Sequence, residues 1–224
     1  MTRSIEHARA MFSAGWVMAA MLLLAACGSG EPAGEHEHAE GHIHTQAASV
    51  PASGQEQRAL VVLSDAPMRD QAGAERQLKS DVIGSRIVVV DFIFTSCQTI
   101  CPVTTALLAQ AKRDLADIPA EDLVFVSLSV DSRVDTPERL AAFAAAHNAD
   151  WTFLTGEKPV MDEALTWLNA YATNPENHAA MILIGDASTE EFSRIYGMPD
   201  PEFVESRVRE LVAARETTTT QHTH

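Results

Sequence analysis

The sequence predicts an α/β layered domain, a central mixed sheet flanked by helices, and three observations carry that expectation. Residues 86–95 hold a nearly continuous apolar, β-branched run, Ile87-Val88-Val89-Val90-Asp91-Phe92-Ile93-Phe94, the pattern of a strand buried on both faces. Such runs then alternate with segments that carry helix signals. Near the C-terminus, 180–184 and 192–196 read as two strands joined by a turn at 186–189, and a last helix follows over 201–214.

Length and composition bound the rest. The chain has 224 residues and 46% hydrophobic content, which suits one globular domain with flanking extras. Sixteen basic residues face 31 acidic ones, a formal charge of −15. No basic patch is available to neutralise phosphates, so nucleic-acid binding is excluded, as is electrostatic docking on anionic lipid. Three cysteines are too few for a disulfide scaffold.

Residues 1–26 read as a signal segment. Arg3 and Arg9 precede an apolar run over 10–26 that ends in Leu24-Ala25-Ala26-Cys27. A charged start, an apolar stretch and small residues before a cut describe secretion. The Leu-Ala-Ala-Cys ending resembles the bacterial lipoprotein signal, which implies acylation of Cys27. An uncleaved membrane anchor is the alternative, but the run is at the short limit for spanning. Either way the domain is expected outside the cytoplasm, on the periplasmic side of a bacterial envelope; Gly28 hints at the outer membrane.

Residues 27–57 are rich in Gly, Ala, Ser, Pro, Glu and Gln. Such a stretch buries too little surface to offset chain entropy and reads as a flexible tether. His36, His38, His42 and His44 lie within it, interleaved with Glu35, Glu37 and Glu40. They are either weak metal-gathering groups or polar spacer. The globular domain is expected over 58–215, and 216–224 as a disordered tail.

Within the domain, Ser96-Cys97-Gln98-Thr99-Ile100-Cys101-Pro102 follows the buried strand. A helix is expected over 103–115, with Pro102 in its first turn, where a missing N–H costs nothing. A second strand follows at 123–130. Thr136 reads as the N-cap of the next helix, with Pro137 at its first position and Glu138 near its positive end. Residues 151–154 read as a short strand and 160–171 as a helix. Trp151 and Trp167 are expected in the core, and His147 as structural at a helix end.

Cys97 and Cys101 are the leading functional candidates. They sit where a buried strand hands over to a helix, the usual ligand edge of an α/β sheet. Spacing i, i+4 on a helix puts two side chains on one face. Helix-start N–H groups favour thiolate over thiol. Two soft thiolates select Cu(I), Zn(II) or iron–sulfur chemistry. An iron–sulfur cluster and a structural zinc site each want four ligands, which this chain is poorly placed to supply. Two thiolates and one imidazole suit Cu(I). Reversible disulfide formation stays open at this point.

The run Phe94-Thr95-Ser96-Cys97-Gln98-Thr99-Ile100-Cys101-Pro102 resembles the Sco family, also called SenC, copper proteins tied to assembly of cytochrome oxidase. Val126–Asp131 with Asp135-Thr136-Pro137-Glu138, and Trp151–Gly156, look like further blocks of that family. Asn177-His178, just before Met181-Ile182-Leu183-Ile184, matches the place of its metal-binding histidine. The resemblance spans about residues 60–212 and implies a thioredoxin-like fold, with Cys97, Cys101 and His178 as copper ligands for Cu(I) or Cu(II). Three departures stand out: Gln98-Thr99-Ile100 between the cysteines, Asn177 where an acid is frequent, and the lipoprotein-like ending at Cys27 in place of a spanning helix. Asp131 is a candidate group behind the ligands, or simply the start of a loop.

The expected role is a copper metallochaperone that delivers copper to a copper-site subunit of a respiratory oxidase or to another copper protein, held to the membrane by lipid on Cys27. The rival is a thiol–disulfide reductase, with Cys97 and Cys101 as a redox-active pair that keeps a partner's copper-site cysteines reduced. An envelope copper sensor or buffer is a third reading.

Overall fold

A computed structural model describes residues 55–198 and 200–221. Cys27, the signal segment and the tether histidines lie outside the described residues. The elements run in order: β1 (Glu56–Ala59), β2 (Pro67–Asp70), β3 (Glu75–Gln77), a π-helical turn (Leu78–Ile83), β4 (Ile87–Ile93), α1 (Ile100–Asp114), β5 (Leu123–Ser129), α2 (Pro137–Ala146), β6 (Thr152–Thr155), α3 (Lys158–Trp167), a 3₁₀ turn (Pro175–Asn177), β7 (Met181–Asp186), β8 (Glu191–Tyr196) and α4 (Pro201–Gln221).

The eight strands form one sheet in the order β1-β8-β7-β4-β5-β6-β2-β3. β4 pairs in parallel with β5, and β5 with β6. The remaining pairings are antiparallel, so the sheet is mixed as expected. The central β4 is buried at every position. Its side chains alternate between two cores. Ile87, Val89 and Ile93 pack with Leu108 of α1 and Leu115 just after it, Leu140 and Phe143 of α2, and Val204 and Val208 of α4. Val88, Val90 and Phe92 pack with Met161 and Leu165 of α3 and with Leu78 and Val82 of the π-helical turn. Period-two alternation thus gives a three-layer α/β/α domain.

The α2 start is as read from sequence: the Thr136 side chain accepts the Arg139 N–H at 3.4 Å, and Pro137 opens the helix. Four details differ from expectation. The fold begins at β1, inside the predicted tether; its polar residues Glu56, Gln57 and Arg58 give no strand signal, and antiparallel pairing with β8 supplies the order. β2 and β3 were likewise invisible in the sequence pattern. α4 continues to Gln221, through most of the predicted tail. Thr217 and Thr218 each donate a side-chain hydrogen bond back to Ala213 and Ala214 carbonyls, at 2.9 and 3.0 Å, so the added turn stays satisfied. Trp167 is 49% exposed, because the last residue of α3 faces outward while its carbonyl accepts the Val62 N–H. Trp151 is in the core, 6% exposed and stacked on Phe153. No helix among the described residues is long and apolar enough to cross a membrane.

Candidate metal and redox centre

The two cysteines lie at the C-terminal end of β4, where its parallel ladder with β5 finishes. A turn closes from the Cys97 N–H to the Phe94 carbonyl at 3.1 Å, and the chain then enters α1 at Ile100, two residues earlier than Pro102. Cys101 is therefore inside the first helical turn and Cys97 just outside it. Both thiols are free and buried, Cys97 at 8% and Cys101 at 2% exposure.

The helix start treats the two sulfurs unequally. The Cys101 N–H donates to Cys97 Sγ at 3.4 Å, and the Thr99 hydroxyl lies 4.0 Å from it. Burial by itself would raise the Cys97 thiol. The Cys101 thiol and the N–H groups of Cys101, Thr99 and Ile100 outweigh it and hold Cys97 below the ordinary thiol range. Cys101 is pushed up to about 12, first by burial and then by its neighbour Cys97. The helix start eases proton loss from Cys97, while Cys101 holds its proton.

Asp91 shares the sheet face of Ile87, Val89 and Ile93, beneath α1. It is 1% exposed, accepts a short hydrogen bond from the Ser127 hydroxyl, and leaves its second oxygen, Oδ2, without a partner. Ser127 in turn accepts the Trp151 indole N–H at 2.8 Å. Burial raises the Asp91 carboxyl to about 7, and its charge adds to what keeps Cys101 protonated.

His178 follows the 3₁₀ turn, and the antiparallel register of β7 with β4 carries it toward the same sheet end. Its Nε2 lies 3.0 Å from the Phe92 carbonyl oxygen, and its Nδ1 is buried with no partner. A carbonyl only accepts, so Nε2 carries the hydrogen and Nδ1 keeps a lone pair. Burial lowers the imidazole's proton affinity, against the Phe92 contact that raises it. The ring is thus a neutral donor fixed in one tautomer. It is not drawn up to the sulfurs: among the described residues, no three His, Cys, Asp or Glu side chains are close enough together to hold a metal ion. The structure brings Cys97 and Cys101 together and leaves His178 apart.

Asp131 begins the loop after β5 and sits in the Asp135 network: its carbonyl accepts the N–H groups of Val134 and Asp135, its N–H donates to the Ser129 hydroxyl at 3.1 Å, and its charge adds to what raises Asp135. The carboxylate that reaches the site's frame is Asp135, which the sequence pattern presented merely as the residue before a helix cap. It accepts from the Thr95 N–H at 3.0 Å, the Thr95 hydroxyl at 2.5 Å and the Ser129 hydroxyl at 2.6 Å. Burial raises its proton affinity. His147 caps the end of α2 and packs on Phe143 at 4.5 Å between ring centroids.

The SCO1/SenC family model matches residues 67–213. The chain belongs to that family. A SCO1 protein homologue of Bacillus subtilis is 34% identical over 121 residues, 51% of this chain and 60% of the relative, so the match spans less than two thirds of its length. Among solved structures, BsSco, a member of the Sco family of cytochrome c oxidase assembly proteins with a disulfide switch, is 27% identical with a TM-score of 0.57, covering 69% of this chain and 95% of that one. Copper-bound ScoI of Bradyrhizobium japonicum has a TM-score of 0.55 at 18% identity, over 71% and 99% of the two chains. The fold is therefore the thioredoxin-like fold of Sco proteins, as the resemblance implied.

Proposed function

We propose that this Sco domain is a copper metallochaperone, with Cys97, Cys101 and His178 as the copper ligands and Cu(I) as cargo. The observation that carries the reading is the pair of free sulfurs at one helix start. The buried, partnerless Nδ1 of His178 supports it, because a neutral imidazole lone pair completes a soft donor set. Two thiolates around Cu(I) leave one negative charge, which the N–H groups at the α1 start stabilise. Cys97, the less deeply buried of the pair, meets the ion first. Copper then displaces the proton held on Cys101, so uptake releases a proton and strengthens as pH rises. His178 completes the site by moving in from its post beside Phe92. Release to a partner's copper site in a respiratory oxidase follows as incoming ligands replace these three one at a time. Cys27 acylation holds the domain on the periplasmic side of the envelope.

The test is Cu(I) titration of the purified chain against a competing chelator. One tight equivalent is expected, lost in Cys97→Ser and in Cys101→Ser and weakened at least about tenfold in His178→Ala, the scale of one lost 1.4 kcal/mol interaction. Unchanged affinity in the cysteine variants would sink the reading.

One observation favours the second reading, a thiol–disulfide reductase: the split between a low Cys97 and a high Cys101 suits attack by Cys97 on a partner's disulfide and resolution by Cys101. Full rescue of oxidase assembly by His178→Ala would favour it, since a dithiol couple needs no imidazole ligand.

A further inference from the structure

The site's frame holds a carboxylate that neither reading uses. Asp135 is 1% exposed and stands between the ends of two parallel strands. Through Oδ1 it holds Thr95, two residues beyond β4. Through Oδ2 it holds Ser129, the last residue of β5. Its own carbonyl accepts the Thr155 hydroxyl at 2.8 Å, at the end of β6. One residue therefore ties together the ends of three neighbouring strands. The Arg139 Nε–H adds a bond to the Thr95 hydroxyl at 3.0 Å, so the Thr95 hydroxyl both donates and accepts. Thr95 is the second residue of the turn that Phe94 and Cys97 close. The tie thus acts two residues from a sulfur without touching it.

We infer that Asp135 is a positioning residue: it fixes the Phe94–Cys97 turn in the form that aims the α1 N–H groups at Cys97 Sγ, and so sets the redox equilibrium of the Cys97–Cys101 pair. The inference rests on reading that pair as the working centre. Oxidation removes two electrons from the two sulfurs, together with whatever protons they carry, and forms one Sγ–Sγ bond; the S–S bond of a disulfide reagent such as oxidised glutathione breaks as it takes the electrons, and its two sulfurs become thiols with those protons and the balance from water. Preorganised N–H groups favour the reduced form, since the disulfide has no anionic sulfur for them to hold. Loosening the turn removes that preference and moves the equilibrium toward the disulfide.

The experiment equilibrates the full chain with glutathione redox buffers and reads the dithiol fraction by thiol labelling, for wild type, Asp135→Asn, Thr95→Val and, as a charge control, Glu163→Gln, an exposed acid on α3. Global stability is followed in parallel by denaturant. Asp135→Asn and Thr95→Val are expected to shift the equilibrium at least about tenfold toward the disulfide, roughly 30 mV for two electrons, while Glu163→Gln stays with wild type. A dithiol–disulfide equilibrium constant within twofold of wild type in folded Asp135→Asn, or in Thr95→Val if the former does not fold, overturns the inference. So does an equal shift in Glu163→Gln, which would mark a general charge effect. Copper titration of the same wild-type sample separates the two claims: a chain that binds no copper but shows the shift loses only the copper reading.

Discussion

Asp91 shows what a single residue costs the fold in return for a place beneath Cys101. Its carboxyl is raised to about 7 by burial, well above an unfolded carboxyl. The proton-bound form is therefore the one the native state prefers. Stability from this group is fully present below the unfolded value near 4 and is lost as pH rises toward 7, at about 1.4 kcal/mol per pH unit. We expect Asp91→Asn, which keeps the shape without the charge, to flatten that slope. Denaturant unfolding at pH 5 and pH 8 checks it: the variant should gain on wild type between the two values, and parallel losses in both proteins would refute the assignment. The sequence exposed Asp91 readily, because a charge inside an apolar β-branched run stands out. It could not expose Asp135, whose partner Thr95 is remote in sequence and meets it only because the β4–β5 register sets the ends of the two strands side by side. His178 was legible only through family resemblance; nothing in its neighbours marks a buried, partnerless nitrogen.

Elements with a strong apolar period were legible, and elements held by pairing were not. β4, β5 and the β7–β8 hairpin carry apolar runs that announce themselves. β1, β2 and β3 are three or four residues long and largely polar, and hydrogen bonding to edges already built makes them strands. The β7–β8 hairpin also contains a position that tolerates no side chain. A Cβ on Gly185 would overlap the Phe192 ring and the Glu191 carbonyl oxygen. Since the neighbour includes backbone, the clash cannot be relieved by a rotamer change. Gly185→Ala is expected to cost about 1–3 kcal/mol, read as a lower denaturant midpoint at unchanged slope. A midpoint equal to wild type would show that the hairpin gives more easily than its packing implies.

At the scale of the whole molecule, α4 is pinned to the sheet at the end far from the sulfurs. The Arg215 guanidinium donates to both oxygens of Asp186, at 2.5 and 2.6 Å, and to the Ser85 carbonyl at 2.5 Å. Burial alone would raise Asp186, but Arg215 and Ser188 outweigh it and hold the carboxyl below its usual range. A depressed folded value stabilises the native state above the unfolded pKa and loses that contribution as pH falls through the folded one. We expect Asp186→Asn to destabilise the chain at pH 7 and to approach wild type in acid, as a series of unfolding curves from pH 7 to pH 3 would show. A constant gap across that range would mean that the pair acts through packing alone.

Strand direction gives the domain two functionally different ends. β1 runs antiparallel to β8, and β8 antiparallel to β7, so the described chain enters at the end of the sheet where Cys97 and Cys101 sit. α4 starts at that end and runs back past Asp186 to Gln221. For anyone building with this molecule, the two ends of the described domain are not equivalent. A fluorophore, affinity handle or solid support joined behind Gln221 leaves the sulfur-bearing end open to visitors, whereas the same cargo placed just ahead of Gln55 crowds the doorway.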